Sequence, residues 1–231
     1  MTHTLRTHSL TTWFTKNRDN ELLALCDWKK VLHIWASDSP LTQERYESWE
    51  LLFLRIEEIA EDQLGIDIDQ DAIAYMHNAW HKNMIYYDMN NLWTLEYSPD
   101  VVIFSDTLEH ILNPGIALTN IKQVMWDDTT LVITVPNALC IKNIYWALLG
   151  RLNEHPEHTL SFNFQTLTQL LEYTGFQVIQ STFCNYQYST HPVALIRKIE
   201  SLFFYITIFL RKPFARTLFF VVKKATIDSS Q

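Results

Sequence analysis

Glycine is scarce in this chain, with four in 231 residues. No Gly/Ser linker, internal repeat or low-complexity tract is present, so residues 1–231 are expected to form one domain. Cysteine is nearly as rare: Cys26, Cys140 and Cys184 are odd in number and show no CxxC spacing. That pattern speaks against a disulfide framework or a zinc knuckle and fits a reducing cytoplasm. Basic charge is also in deficit, 18 Lys and Arg against 26 Asp and Glu for a net charge of -8. Generic nucleic-acid binding, which needs a phosphate-neutralising surface, is therefore not expected. The N-terminus carries no apolar core of a signal peptide, and none is expected. The apolar run "SLFFYITIFL", residues 201–210, is about half the roughly 20 residues a membrane-crossing helix requires. A core helix is the expectation there, with docking to a membrane surface as the alternative.

A hydrophobic content of 48% with 19% charged residues is that of a globular protein. Short apolar runs alternate with helical patterns. "KKVLHIW" reads as a first strand, and Tyr46, Trp49, Leu52, Phe53, Ile56 and Ile59 recur at helical spacing through residues 41–63. "LGIDID" is a second strand, with Asp69 placed to cap the helix "QDAIAYMHNAW". "NMIYYD" and "DVVIFSD" are the third and fourth strands. Asn113 and Pro114 open the next helix, and "TLVITVP" is a fifth strand. Residues 137–163 form a longer crossover, Gly175 closes a helix, and "FQVIQSTF" and "RTLFFVVKK" are the last strands. Alternation of this kind predicts a doubly wound, mostly parallel α/β sheet that binds ligands at the carboxyl ends of its strands. Residues 1–28 are expected to be a helical or irregular N-terminal segment, 29–136 the cofactor-binding half, and 137–231 the acceptor side.

The order of "LGIDIDQDAIAYM", "MIYYDMNNL", "DVVIFSDTLEHILNPGIAL", "LVITVPN" and "HTLSFNFQTLTQLLEYTGFQV" resembles the successive blocks of class I S-adenosylmethionine-dependent methyltransferases. The resemblance implies a Rossmann-like sheet of seven strands with an antiparallel last strand, and S-adenosylmethionine as cofactor. It places Asp67, with Ile68 beside it, at the ribose, where a carboxylate can accept both hydroxyl protons. It places Asp88 at the adenine amino group, Met89 on the adenine ring, and Asp106 near the methionine end. In "SDTLEH", Asp106, Glu109 and His110 crowd one strand-to-helix connection, a setting for orienting an acceptor or taking its proton. The spacing is similar to the E-x-x-E-H of ubiquinone-biosynthesis O-methyltransferases, which hold a divalent metal there. Aspartate replaces the first glutamate, and no metal ligand is assigned. His158 belongs to the crossover that closes over the acceptor in such proteins, and is the third residue expected in catalysis.

The first loop, "VLHIWASDSPLT", has no glycine, although glycine is what normally lets backbone approach a cofactor. It resembles a variant reading roughly LHIG-x-x-D-x-P, found among methyltransferases that neighbour glycan and lipid biosynthesis genes. On that comparison His33, Asp38 and Pro40 are regular, Ala36 and Ser37 stay small enough for close approach, and Trp35 stands for the glycine. The indole is expected to turn into the core between strand and helix; pointing into the pocket is the alternative. The activity implied is methyl transfer to oxygen or nitrogen of a small acceptor, glycan- or lipid-linked or a secondary metabolite. The rival is a protein that kept the fold and lost methyl transfer, serving as a binding partner or running other chemistry.

Overall fold

The computed structural model describes residues 16–152, 155–185 and 212–225. Strands β2 (Lys30–Ile34), β3 (Asp62–Asp67), β4 (Met84–Tyr86), β5 (Val101–Ser105) and β6 (Thr130–Pro136) are mutually parallel. Strand β8 (Thr217–Lys224) runs antiparallel between β6 and β7 (Phe176–Asn185). Across the sheet the order is β4-β3-β2-β5-β6-β8-β7, with a short strand beyond β7 at the edge. These are the expected seven strands with an antiparallel last one, and β1, Lys16–Asn17, extends the edge as an eighth. The N-terminal segment, expected to be helical or irregular, thus adds an edge strand before its helix α1 (Arg18–Cys26).

Both faces of the sheet are covered, which is why its central strands read as continuous apolar runs. On one face Leu22 and Cys26 of α1 pack with Leu52 and Ile56 against Val31, Ile103 and Val132. On the other, Leu118, Ile121, Leu167 and Leu171 pack against Leu32, Phe104 and Ile133. Gly65 in β3 marks a close approach: a Cβ there would lie 2.5 Å from Phe53 Cε2 and 3.0 Å from Ala36 Cβ. Gly65→Ala is expected to cost about 1–3 kcal/mol through overpacking, read as a lowered urea midpoint at unchanged slope.

The helix expected over 41–63 is broken. It becomes α2 (Thr42–Glu47) and α3 (Leu52–Glu57), and β3 begins at Asp62. Trp49 has φ +58 and donates its N–H to Tyr46 O at 3.1 Å, while Glu50 N–H reaches Arg45 O at 2.8 Å. That pair of bonds is a Schellman closure, which ends a helix whatever the apolar spacing beyond it. Helix α4 (Gln70–Asn78) starts as expected, Asp69 accepting from the N–H groups of Asp71 and Ala72. Helix α5 (Pro114–Val124) opens on Pro114, but the Asn113 side chain makes no capping bond. The crossover holds α6 (Ile141–Leu148), and α7 (Phe164–Tyr173) ends at Gly175 with φ +78. Residues 201–210 lie outside the described residues. Among the described residues no helix is long and apolar enough to cross a membrane.

Candidate active site

Strands β2 and β5 are neighbours, and the chain leaves their carboxyl ends in opposite directions, which opens a crevice at the switch point of the sheet. A cavity of about 480 Å³ occupies it, the size of a small-molecule site. His33, Ala36, Asp67, Ile68, Asp106 and His110 all line it. Ser37 is buried behind the loop, and Glu109 is buried beside His110. Asp88 and Met89 are not on the cavity wall. Asp88 is engaged with Asn90, accepting its backbone and side-chain N–H groups at 2.9 Å each, and Met89 lies in the main core.

Asp67 organises the loop that lacks glycine. Its Oδ2 accepts the Ser37 N–H at 3.0 Å, and its Oδ1 accepts from Ile68 at 2.7 Å and Asp69 at 3.1 Å. Trp35 and Ala36 both donate N–H to Ile66 O, at 2.8 and 3.2 Å. The turn is left-handed at Trp35 (φ +58) and Asp38 (φ +57), and again at Asp106 (φ +48) across the cavity. Left-handed backbone costs a residue with a Cβ about 1–2 kcal/mol. The loop therefore keeps the conformation that glycine would serve and carries the strain. Trp35 is half-buried and packs against the main core, and it also lines the cavity, its ring 6.2 Å from that of His110.

Sequence reasoning missed Arg18. From α1 it enters the same cavity, pairs through Nη1 with Asp106 Oδ2, and lies 3.3 Å from Ser105 Oγ. Burial opposes the guanidinium charge, but Asp106 and Asp19 outweigh it and raise the pKa further. Asp106 is fixed from the other side by Thr134 Oγ1, which donates to Oδ1 at 3.0 Å. The only signal in the sequence is the adjacent pair Arg18-Asp19, a pattern too common to single out. His33 is buried, and burial together with the nearby Arg18 charge lowers its pKa to about 3. It is a neutral wall of the cavity at physiological pH.

The crossover is fastened to the turn after β5 by one carbonyl. Glu109 O accepts from Thr159 N–H at 2.9 Å, Leu160 N–H at 3.1 Å and Thr159 Oγ1 at 3.1 Å. This brings His158 against His110, ring centroids 4.9 Å apart and nearly perpendicular, with His155 5.1 Å beyond His158. His158 Nε2 lies 3.9 Å from Glu109 Oε1. Burial, reinforced by Asp106, raises the Glu109 pKa to about 9, so its carboxyl is neutral at pH 7. Ligand atoms of Glu109, His110 and His158 come within 4.8 Å of one another, but an ion held there would require the buried Glu109 to ionise.

A carboxyl with a folded pKa above its unfolded one draws stability away as pH rises between the two values. Glu109→Gln is therefore expected to match the parent in stability near pH 4.5. It should gain on the parent up to about pH 9, by at most about 1.4 kcal/mol per pH unit. Urea melts of both forms at several pH values measure this.

The family model described as a methyltransferase domain matches residues 31–181. No curated protein matches the chain in sequence. Among solved structures, a SAM-dependent methyltransferase from Archaeoglobus fulgidus superposes with a TM-score of 0.54 at 20% identity, over 89% of this chain and 94% of that one. The 1,6-didemethyltoxoflavin-N1-methyltransferase of Burkholderia thailandensis, solved with 1,6-didemethyltoxoflavin and S-adenosylhomocysteine, gives 0.52 at 16% identity, over 90% and 77%. The [4+2]-cyclase SpnF gives 0.55 at 13%, over 90% and 82%. The sheet order, the crevice between β2 and β5 and the match over residues 31–181 agree: this chain belongs to the methyltransferase domain family and has its Rossmann-like fold.

Proposed function

We propose that the protein is an S-adenosylmethionine-dependent methyltransferase that methylates an oxygen or nitrogen of a small acceptor in the cytoplasm. The acceptor would be glycan- or lipid-linked or a secondary metabolite, and the reaction biosynthetic. The observation that carries this reading is the cavity at the switch point, with the Asp67 carboxylate held on its wall by three backbone N–H groups. A carboxylate fixed in that way keeps one acceptor position open, on Oδ2, for a hydroxyl such as a ribose presents. Ala36 leaves room for close approach, and Arg18 with Asp106 sets the polarity of the opposite wall.

The cofactor, when bound, supplies an electrophilic sulfonium methyl. The chain's own part is positioning and proton handling. His110 is on the cavity wall, and its edge-on contact with His158 gives a path for a proton leaving the acceptor. Neutral Glu109 beneath them carries no charge to compete for that proton. Thermal melts with S-adenosylhomocysteine test the reading: at 100 times its Kd the product should stabilise the fold by about 2.7 kcal/mol. No shift at millimolar product contradicts it.

The presence of Trp35 on the cavity wall favours a second reading, a methyltransferase fold without methyl transfer, because an indole stands where a glycine would leave the wall bare. The two readings separate on Trp35→Gly. For a chain that carries tryptophan at position 35, product binding by the variant alone selects the second; binding by both forms selects the first.

A further inference from the structure

We infer that a second cavity, of about 350 Å³, is the phosphate-binding subsite of the acceptor; this rests on the methyltransferase reading. Cys140, Lys142, His155, His158, Arg216 and Thr217 line it, and among the described residues no acidic side chain does, in a chain whose net charge is -8. The N-terminus of α6 opens onto it at Cys140 and Lys142, and no side chain caps that helix. Uncapped N–H groups and the positive end of the helix dipole are what an oxyanion seeks. Thr217 supplies an independent sign. Its side chain is fully buried on the cavity wall, and its Oγ1 has no hydrogen-bond partner among the described residues. A buried hydroxyl left unpaired costs about 1–3 kcal/mol, which a bound acceptor oxygen would relieve.

Donors converge from a helix end, an ammonium, a guanidinium and a hydroxyl, an arrangement suited to a tetrahedral dianion; a planar carboxylate would be satisfied by the guanidinium alone. His158 borders this cavity, and its ring touches His110 on the wall of the first. An acceptor anchored by its phosphate here would present its nucleophile at the two histidines.

Calorimetric titration with inorganic phosphate, with acetate as control, tests this on the intact protein saturated with S-adenosylhomocysteine. Phosphate should bind at least about tenfold tighter than acetate. Lys142→Ala should weaken it about tenfold or more, and Thr217→Val severalfold, with product affinity and melting temperature unchanged. Absent phosphate binding, equal acetate binding, or full affinity in Lys142→Ala would overturn the subsite. Loss of product binding with phosphate binding intact would count against the methyltransferase reading alone. Glycerol 3-phosphate and phosphatidic-acid vesicles then separate the sources: binding of the first only marks a soluble ester, and Lys142-dependent vesicle binding marks a lipid headgroup.

Among the described residues, four of the six non-glycine residues with left-handed backbone are tryptophans: Trp28, Trp35, Trp49 and Trp80. Tryptophan gains nothing from such a conformation, since only glycine adopts it without a Cβ clash. Helix α4 closes at Trp80 through Trp80 N–H to His77 O (3.2 Å) and His81 N–H to Met76 O (3.0 Å). Helix α6 closes with the same pair of bonds at Gly150, to Ala147 O and from Arg151 to Trp146 O, both 2.9 Å. Trp28, Trp49 and Trp80 are also 78%, 65% and 86% exposed, so burial does not explain them.

We infer that the cell that makes this protein inserts glycine at positions 28, 35, 49 and 80. The codon UGA, a stop in the common code, is read as tryptophan in some codes and as glycine in others, so one reassigned codon accounts for the set. Tandem mass spectrometry of peptides from the protein isolated from its own cells tests this. Glycine at all four positions is expected; tryptophan at any of them overturns the inference.

Discussion

His110→Ala is expected to lower turnover by about 10²- to 10⁴-fold while the affinity for S-adenosylhomocysteine changes by less than about twofold. The imidazole sits on the wall of the first cavity, and its ring contacts are with Trp35, His155 and His158. Removing it leaves the Glu109 carbonyl, which fastens the crossover, unchanged. His158 lies one ring further from the cavity, so His158→Ala should cost less turnover than His110→Ala. A fall in product affinity that parallels the loss of turnover would make His110 part of the cofactor cradle instead.

The triple variant Trp28→Gly, Trp49→Gly, Trp80→Gly is expected to be more stable than the parent by about 3–6 kcal/mol. Each site relieves about 1–2 kcal/mol of left-handed strain, and sites on three separate helix ends add with little coupling. The indoles are mostly exposed, so little burial is lost in exchange. Urea denaturation reads the gain as a raised midpoint at constant slope. Unchanged stability would mean that the indoles make contacts that offset the strain. Adding Trp35→Gly should open the first cavity and tighten product binding about tenfold or more.

The strands were legible because each is an apolar run bounded by polar turns, and the run fixes itself in a sheet covered on both faces. Asp67, Asp106 and His110 could be placed from the same pattern, since a residue that ends a parallel strand ends it at the crevice. The helix over 41–63 was misread because Trp49 falls on the apolar spacing while standing 65% exposed at a left-handed turn, and periodicity is blind to φ. Arg18 escaped notice because its role depends on the short strand Lys16–Asn17 pairing with β7, a contact between distant parts of the chain. Asp88 and Met89 follow the three-residue strand β4, where the turn that begins at Asp88 folds back on itself through Asn90. Local hydrogen bonding of that kind does not show in strand and helix patterns.

The claim on which the rest depends is that the cavity between β2, β3 and β5 is the cofactor site. Calorimetric titration of S-adenosylhomocysteine into the parent protein and Asp67→Ala tests it most directly. Saturable one-to-one binding to the parent is predicted, weakened in the variant by about 1.5–3 kcal/mol, or roughly 10- to 150-fold, as for hydrogen bonds to a charged group. Equal affinity in the two proteins would contradict it.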